Sequence, residues 1–247
     1  MKIALMGASG FIGSKLLQEA LNRGHMVTAV SRAPEKLPQH ANLRPAKADV
    51  NDVAALTDIF RGQDAVIHSY APPGDAEVRA FMFGHMQAGT MRPDTAASYV
   101  PRDMAAHDAH VKGRIDAQVK GTRNIIEAAK AAGVKRLLAV GGAGTLLVNG
   151  VRIMDTPTFP KGFEGGAKST AVVKETLLRE PELEWTVLCP PMSISPGQRT
   201  GRFRLGHDDL LVAGDGSSQI SLEDYAMAMI DELEQPKHTR HRFTVAY

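Results

Sequence analysis

Three glycines follow directly on a short apolar run near the start of the chain. Residues 2–6 are typical of a buried strand in a parallel sheet. Gly7, Gly10 and Gly13 come next with the spacing G-x-x-G-x-x-G, apolar residues then recur at helical spacing, and residues 26–30 predict a second strand. Glycines between a strand and a helix permit a tight turn and let phosphate approach the free N–H groups of the helix. This pattern predicts a Rossmann-like α/β fold that binds a dinucleotide.

The residue after the second strand distinguishes the two nicotinamide dinucleotides. NAD sites usually place Asp or Glu there to bind the ribose 2′-hydroxyl, whereas a basic residue suits the 2′-phosphate of NADP. Here the strand continues into Ser31 and Arg32, and the first carboxylate is Glu35. An arginine can bind phosphate with two parallel hydrogen bonds and stack on adenine. We therefore expect NADP(H) as cofactor, with NADPH preferred over NADH. The alternative is that Arg32 is a solvated surface residue.

Composition narrows the class of protein further. The 247 residues are 43% hydrophobic and 23% charged, with a net charge of +2, which gives no basis for nucleic-acid or membrane-surface binding. Cys189 is the only cysteine, so no intrachain disulfide forms and a reducing compartment is favoured. It follows an apolar run and is predicted to lie in the core. No run approaches the ~18 apolar residues of a membrane helix, and the chain begins on the predicted first strand. We expect a cytoplasmic protein without nucleic-acid or membrane partners.

Strands and helices continue to alternate along the chain. Further strands are predicted at residues 43–48, 65–69, 136–140, 184–188 and 242–246, and helices at 53–60, 115–132 and 222–233. Strands separated by helices pair in parallel through right-handed crossovers, and ligands bind at the carboxyl ends of such strands. We predict one domain over residues 1–247, with a doubly wound parallel sheet. A small substrate lobe is expected from loops at about 145–165 and 190–220.

Four stretches carry a family resemblance: GASGFIG at 7–13, AAGVKRLLAVGGAG at 131–144, WTVLCPPMSISPGQRTGRFRLGHDDLLV at 185–212 and the C-terminal stretch at 218–247. They resemble atypical short-chain dehydrogenases/reductases of the NmrA-like and flavin-reductase-like group. The resemblance implies an NADP-type site in which Asp49 meets the adenine edge, while Ser69 and the turn after the fifth strand line the ribose and nicotinamide. The predicted cofactor-binding residues are Gly7, Ala8, Ser9, Gly10, Phe11, Ile12, Gly13, Ser31, Arg32, Asp49, Val50, Ser69, Gly141, Gly142, Ala143 and Gly144.

The chain departs from the catalytic pattern of the familiar members of this group. Those enzymes protonate a carbonyl oxygen with the tyrosine of a Tyr-x-x-x-Lys pattern. Lys168 and Lys174 lie in the expected helical region, but Glu164 and Thr170 stand four residues before them. Phe163 occupies the position where related flavin reductases often have tyrosine. We therefore assign no catalytic residue and do not expect a tyrosine-driven alcohol dehydrogenase.

Hydride transfer to a flavin or quinone needs fewer catalytic groups from the protein than the reduction of a carbonyl compound does. The acceptor's heteroatoms can take a proton from water, so positioning is the main requirement. Apolar side chains suit a flat aromatic acceptor, and we expect substrate contacts at Phe163, Pro191 and Met192, with Phe11 and residues 81–83 as further walls. We predict an NADP(H)-dependent reductase of such an acceptor. The alternative is a non-catalytic NADP(H)-binding redox sensor of NmrA type that regulates a protein partner.

Two segments leave alternatives open. Residues 75–112 contain His85, His107 and His110, and they follow the fourth strand at the ligand edge of the sheet. This placement predicts a lid over the acceptor, with an oligomer contact as the alternative; no metal site is predicted because no cysteine accompanies the histidines. The basic loop at 198–204 either steers an acidic acceptor or is an ordinary solvated loop.

Overall fold

A computed structural model describes residues 1–74, 78, 80–81 and 99–247. Twelve strands lie in these ranges: β1 (Lys2–Met6), β2 (Met26–Ser31), β3 (Leu43–Lys47), β4 (Ala65–His68), β5 (Arg136–Val140), β6 (Leu147–Val148), β7 (Val151–Arg152), β8 (Glu184–Cys189), β9 (Ser193–Ser195), β10 (Arg204–Gly206), β11 (Gln219–Ser221) and β12 (His241–Ala246). The α-helices whose bounds the structure describes are α1 (Gly13–Asn22), α2 (Val53–Phe60), α3 (Met104–Ala131), α4 (Glu164–Leu177) and α5 (Leu222–Glu234).

The central sheet has eight strands in the order β10-β12-β8-β5-β4-β1-β2-β3. All its pairs are parallel except the antiparallel pair of β10 with β12, an edge that the sequence did not predict. The strand order reverses at β1, which lies between β2 and β4, so a crevice opens above the carboxyl ends of these strands. The doubly wound parallel sheet predicted from the sequence is confirmed.

Helices cover both faces of the sheet. α1 packs against α5 on one face, and α2, α3 and α4 pack together on the other, so the apolar sides of the strands are buried in two clusters. Cys189 lies fully buried in the second cluster, as predicted. α5 begins at Leu222 and is capped by Ser221, whose hydroxyl accepts a hydrogen bond from the Asp224 N–H at 3.0 Å, which confirms the predicted helix start.

α3 is longer than the sequence predicted. It begins at Met104, about eleven residues before the expected start, because the Asp103 side chain caps it by accepting a hydrogen bond from the Ala106 N–H at 3.0 Å. Its 28 residues span about 42 Å, whereas a strand of five residues spans about 17 Å. Since the helix ends just before β5, its N-terminal half extends beyond the carboxyl edge of the sheet.

The predicted lid at 75–112 is only partly described. Residues 104–112 form the first turns of α3, while residues 75–77, 79 and 82–98, with His85, lie outside the described residues. The predicted substrate-lobe loops contain the short β6–β7 hairpin, the β9–β11 pair and the edge strand β10. No described helix is both long and apolar enough to cross a membrane.

The far edge of the sheet is formed by β3. Pro45 stands in the middle of this strand, opposite Ala29 of β2, and Arg44 and Lys47 on either side of it are exposed. Proline has no backbone N–H to donate, so β3 offers an incomplete set of hydrogen-bond donors to a further strand.

Candidate cofactor and acceptor site

The turn between β1 and α1 is built from glycines with different tasks. Gly7 has φ +79°, and a Cβ there would overlap the Ser69 carbonyl at the end of β4. A Cβ on Gly13 would overlap the Gly7 carbonyl in the same way. Gly10 is exposed, and a Cβ there would meet only the Gly7 carbonyl oxygen at 3.1 Å. Gly7 and Gly13 are therefore required by packing, whereas Gly10 faces the open side of the turn.

This turn can bind an anion. No side chain of the described residues caps the N-terminus of α1, and the Ser14 N–H donates to the Gly10 carbonyl at 2.9 Å. The N–H groups of residues 11–13, for which no backbone acceptor is described, are therefore the ones available to an anion at the positive end of the helix dipole. Ala8 is buried beneath the turn, while Ser9 and Phe11 are exposed above it. A pyrophosphate approaching Gly10 meets backbone N–H groups and no side-chain obstacle, so the residues present fit a dinucleotide.

A cation lies at the end of β2, where the sequence predicts the 2′-phosphate. Arg32 is exposed and makes no hydrogen bond or ion pair within the described residues. Asp49, after β3, accepts hydrogen bonds of 2.8 Å from the backbone N–H and side-chain amide of Asn51. These hydrogen bonds, and then the charges of Arg32 and Lys120, hold the pKa of Asp49 below its usual range. The strand ends thus bring one free arginine and one ionised carboxylate close together.

Val50 and Ser31 have supporting roles beside these charges. Val50 is buried, and its carbonyl accepts a hydrogen bond of 3.0 Å from the Asn124 side chain of α3. The Ser31 hydroxyl accepts a hydrogen bond of 3.1 Å from the Ala33 N–H, which holds the chain in a turn just after Arg32.

Tyr70 lies at the same carboxyl edge of the sheet, although the sequence analysis did not predict it as a site residue. It follows β4, and its ring packs so closely on Gly121 of α3 that a Cβ at Gly121 would lie 2.5 Å from Tyr70 Cε1. Burial and the nearby Asp49 carboxylate raise the pKa of Tyr70, while the Arg32 charge partly offsets them. Tyr70 therefore forms an aromatic wall next to the two predicted adenosine-binding side chains. A glycine within the predicted helix was the signal that could have indicated this close contact.

A buried polar network lies beneath Tyr70. His68 Nε2 forms a hydrogen bond of 3.0 Å with Thr122 Oγ1, and the Gln118 amide donates to the same hydroxyl at 3.2 Å. The Ser169 hydroxyl of α4 donates to Gln118 Oε1 at 3.3 Å, and the Gln118 amide also donates to the Tyr70 carbonyl at 3.3 Å. Burial lowers the pKa of His68 to about 4, so the imidazole is neutral. The network fixes β4, α3 and α4 relative to one another.

The turn after β5 packs directly on α4. A Cβ on Gly142 would overlap the Thr170 hydroxyl, and a Cβ on Gly144 would lie 2.8 Å from Ala167 Cβ. The Gly141 N–H donates to the Leu188 carbonyl at 2.8 Å, which anchors the start of the turn to β8. Ala167 and Thr170 are thus the α4 side chains that pack on Gly144 and Gly142. Neither is an acid at neutral pH.

One hydroxyl and two lysines lie near this turn, in different environments. Thr145 is buried and donates to the Gly142 carbonyl at 2.9 Å. Lys168 forms an ion pair of 2.6 Å with Glu164. Lys174 lies further along α4 in the environment of Cys189, and burial, reinforced by the charge of Arg242, lowers the pKa of Lys174. The two lysines thus differ: one is ion-paired near the helix start, and the other is partly buried near the end of β8.

The predicted acceptor contacts are distributed along the same crevice. Phe11 and Met192 are 42% and 46% exposed, Pro191 is buried and Phe163 is half-buried. The Tyr99 ring packs on Gly162, next to Phe163, and lies 5.0 Å from the Phe81 ring. Residues 82–83, which the sequence also offered as a wall, lie outside the described residues. The described part of the crevice is thus aromatic around the start of α4.

The basic loop at 198–204 is anchored to the protein. Arg199 forms two hydrogen bonds of 2.8 Å with Glu19 of α1, and Arg204 donates to the carbonyls of Val212 and Tyr247. The Asp224 carboxylate accepts hydrogen bonds from the loop backbone at residues 200–201. These contacts give two of its three arginines structural partners and do not favour the idea that this loop steers an acidic acceptor.

Two histidines of the predicted lid, His107 and His110, lie in the first turns of α3. His107 is buried, and its Nε2 lies 3.3 Å from the Lys161 carbonyl oxygen. Within residues 1–74, 78, 80–81 and 99–247, no three His, Cys, Asp or Glu side chains are grouped to hold a metal ion.

Comparison with known proteins agrees with this geometry. A family model described as NAD(P)H-binding matches residues 7–236. The chain belongs to this NAD(P)H-binding family. A relative, the uncharacterized protein YwnB of Bacillus subtilis (strain 168), is 34% identical over 250 residues, which cover 99% of this chain and 98% of YwnB. Family membership confirms the class of cofactor, a nicotinamide dinucleotide, and the predicted resemblance to atypical short-chain dehydrogenases/reductases.

Two solved structures extend the comparison of this NAD(P)H-binding protein. A Bacteroides thetaiotaomicron protein provisionally described as an epimerase is 40% identical, with a TM-score of 0.78 and coverage of 100% of this chain and 96% of the other. A Streptococcus pneumoniae TIGR4 protein provisionally described as an NADH-flavin reductase is 27% identical, with a TM-score of 0.68 and coverage of 100% and 99%.

Proposed function

We propose that this protein is an NADP(H)-dependent oxidoreductase that transfers hydride from NADPH to a flat aromatic acceptor of the flavin or quinone class. One observation carries the proposal. The α4 side chains packed against the turn after β5 are Ala167 and Thr170, with Phe163 one turn earlier, so α4 contributes no phenolic acid to the described wall of the crevice. A crevice of this kind suits an acceptor that needs positioning more than protonation.

The cofactor would lie across the carboxyl ends of the strands. The open face at Gly10 and the N-terminus of α1 would bind the pyrophosphate, and Arg32 would bind the 2′-phosphate. Asp49 and Val50 would meet the adenine, with Tyr70 as an aromatic wall beside it. Ser69 and residues 141–144 would line the ribose and nicotinamide. The preference for NADPH rests on Arg32, the only charged side chain within three residues of the end of β2.

The chain's own contribution to the chemistry is placement and the exclusion of water. Bound NADPH supplies the hydride. The packing of Gly142 and Gly144 on α4 holds the wall of the crevice rigid, and the neutral network from His68 to Ser169 keeps the two helices in register below it. The acceptor's ring nitrogens or quinone oxygens delocalise the incoming electrons, so a proton from water completes the reduction. We place this activity in the cytoplasm, where the single buried Cys189 needs no disulfide partner.

The test is a side-by-side turnover assay that follows the loss of NADPH absorbance. Acceptors are flavin mononucleotide, riboflavin, menadione and a set of small aldehydes and ketones. We expect steady NADPH oxidation with flavins or menadione and poor turnover of the carbonyl compounds. Efficient carbonyl reduction with little flavin or quinone activity would overturn the proposal. Interconversion of a sugar substrate without net NADPH oxidation would instead support an epimerase.

A second candidate is a redox sensor that binds NADP(H) without turning it over. The absence of a phenolic acid at Phe163 and of a free acid on α4 favours it. Tight NADPH binding measured by calorimetry, together with no oxidation by any acceptor in the panel, would support the sensor over the reductase.

A further inference from the structure

One partly buried arginine has no counter-ion. Arg114 of α3 is half-buried, its Nε is buried without a hydrogen-bond partner, and it forms no ion pair with any described residue. The two buried arginines each have a carboxylate partner: Arg136 is paired with Glu232, although its Nε is also without a hydrogen bond, and Arg242 is paired with Asp208. Burial lowers the pKa of Arg114, and no carboxylate in the described ranges offsets this effect. A guanidinium nevertheless keeps its charge in a protein, so Arg114 is a cation available to an anion.

The position of Arg114 on α3 places it beside the crevice. Val111, one turn earlier, packs on Gly165 of α4, and Gln118, one turn later, donates to the carbonyl of Tyr70 just beyond β4. Residues three and four apart lie on the same face of a helix, so Arg114 lies between these two contacts on the face directed at α4. This part of α3 extends beyond the carboxyl edge of the sheet. Residue 114 therefore lies between the contact with α4 and the end of β4, on the acceptor side of the crevice.

A second unused polar atom lies next to it. His110 is one turn before Arg114 on the same face, and its Nε2 is buried without a hydrogen-bond partner in the described part of the chain. Leaving a buried polar atom unpaired is destabilising, and leaving a charge unpaired is more so. Two such groups on adjacent turns indicate a site that a ligand completes.

We propose that Arg114, with His110 beside it, binds an anionic group of the acceptor. The inference rests on the proposed function and deepens it, because it makes the acceptor an anionic aromatic molecule such as a flavin phosphate. The cofactor's phosphates have other partners: the N-terminus of α1 and Arg32 lie at the ends of β1 and β2, whereas residue 114 lies between the contact with α4 and the end of β4. A guanidinium can hold a phosphate or carboxylate with two parallel hydrogen bonds, which an ammonium cannot do.

The test compares flavin mononucleotide with riboflavin, which have the same ring system and differ by the phosphate. Flavin binding is measured by fluorescence quenching on protein saturated with NADP⁺, for wild type, Arg114→Gln, Arg114→Lys and the control Lys112→Gln, an exposed cation of the same helix. We expect wild type to bind flavin mononucleotide at least tenfold more tightly than riboflavin. Arg114→Gln should remove this preference without weakening riboflavin binding, Arg114→Lys should restore part of it, and Lys112→Gln should match wild type.

Further measurements show whether the anion belongs to the acceptor or to the cofactor. They also test the anion site and the proposed reductase activity separately. If Arg114→Gln instead weakens NADPH binding in calorimetry, the anion belongs to the cofactor and the inference is overturned. Equal binding of both flavins by wild type also overturns it, while menadione turnover still tests the reductase. A wild type that prefers flavin mononucleotide but never oxidises NADPH supports the anion site and overturns the reductase. A melting temperature lower in Arg114→Gln than in Lys112→Gln would show that Arg114 is structural and refute the inference.

Discussion

His68 should make the protein lose stability in mildly acidic solution. Its imidazole is fully buried at the end of β4, with Nε2 bonded to Thr122 and Nδ1 accepting from the Tyr70 N–H at 3.3 Å. Burial lowers the pKa of His68 to about 4, against an ordinary value near 6.5. Below pH 6.5 the unfolded chain therefore binds a proton that the folded protein does not accept until about pH 4. The free energy of unfolding must fall as the pH falls through this window.

The magnitude follows from the size of the pKa difference. One pKa unit corresponds to about 1.4 kcal/mol, so the protonation of His68 in the unfolded chain alone removes about 2 kcal/mol of stability at pH 5 and about 3 kcal/mol at pH 4. Because the imidazole has no contact with water in the folded state, this effect needs no reduction for solvent screening. It is a substantial part of the 5–15 kcal/mol that is typical of a folded domain.

The assay is urea unfolding at pH 7.5 and pH 5 for wild type, His68→Gln and the control His241→Gln. A glutamine at residue 68 can donate to Thr122 and does not titrate, so its unfolding free energy should fall about 2 kcal/mol less than that of wild type between the two pH values. His241 is exposed, and its replacement should leave the wild-type pH dependence unchanged. The reasoning is refuted if wild type and His68→Gln lose equal stability on acidification, whatever their stabilities at pH 7.5.

Five substitutions test the cofactor site and the chemistry. Gly10→Val should abolish NADPH binding in calorimetry while the protein still folds, because only the open face of the turn is filled; Gly13→Ala should instead lower the melting temperature, and unchanged NADPH affinity in Gly10→Val would contradict the site. Arg32→Asp should weaken NADPH binding at least tenfold with much less effect on NADH, since a charge-assisted phosphate contact is worth about 1.5–3 kcal/mol; equal losses would show that Arg32 does not bind the 2′-phosphate. Lys168→Ala and Lys174→Ala should leave flavin or menadione kcat within a few-fold of wild type, and a loss of kcat above a hundredfold in either would assign it a catalytic role.

The sequence predicted the parts of the fold that depend on local patterns. The bounds of α2 and β5 match the prediction, and β1, β2, β4 and β8 differ from it by one residue at most, because each is an apolar run closed by a turn. The start of α3 was missed because residues 104–114 have little apolar periodicity. The local signal for that helix start was Asp103, because aspartate is a common helix cap. Its side chain accepts a hydrogen bond from the backbone N–H of Ala106, three residues later.

The candidate site was less predictable because its remaining members depend on tertiary contacts. Gly7, Gly10 and Gly13 form the predicted turn, since strand, turn and helix are contiguous in sequence. The roles of Gln118 and Arg114 depend on the packing of α3 on α4, which local sequence patterns do not reveal. Arg199 is hydrogen-bonded to Glu19, 180 residues away in sequence. This contact anchors the loop at 198–204, which the sequence alone had offered as a possible ligand-binding loop. Charge in a sequence does not reveal whether another residue of the chain neutralises it.

Both borders of the central sheet limit how copies of this protein can associate. At one border Pro45 interrupts the row of donors and lies next to exposed Arg44, and at the other the sheet ends in β10, only three residues long and antiparallel to its neighbour. Neither border offers a long, regular strand for another molecule to extend, a feature that protects proteins against edge-to-edge aggregation. Any oligomer of this protein is therefore expected to use its helices or loops, which leaves the sheet itself resistant to templated aggregation at high concentration.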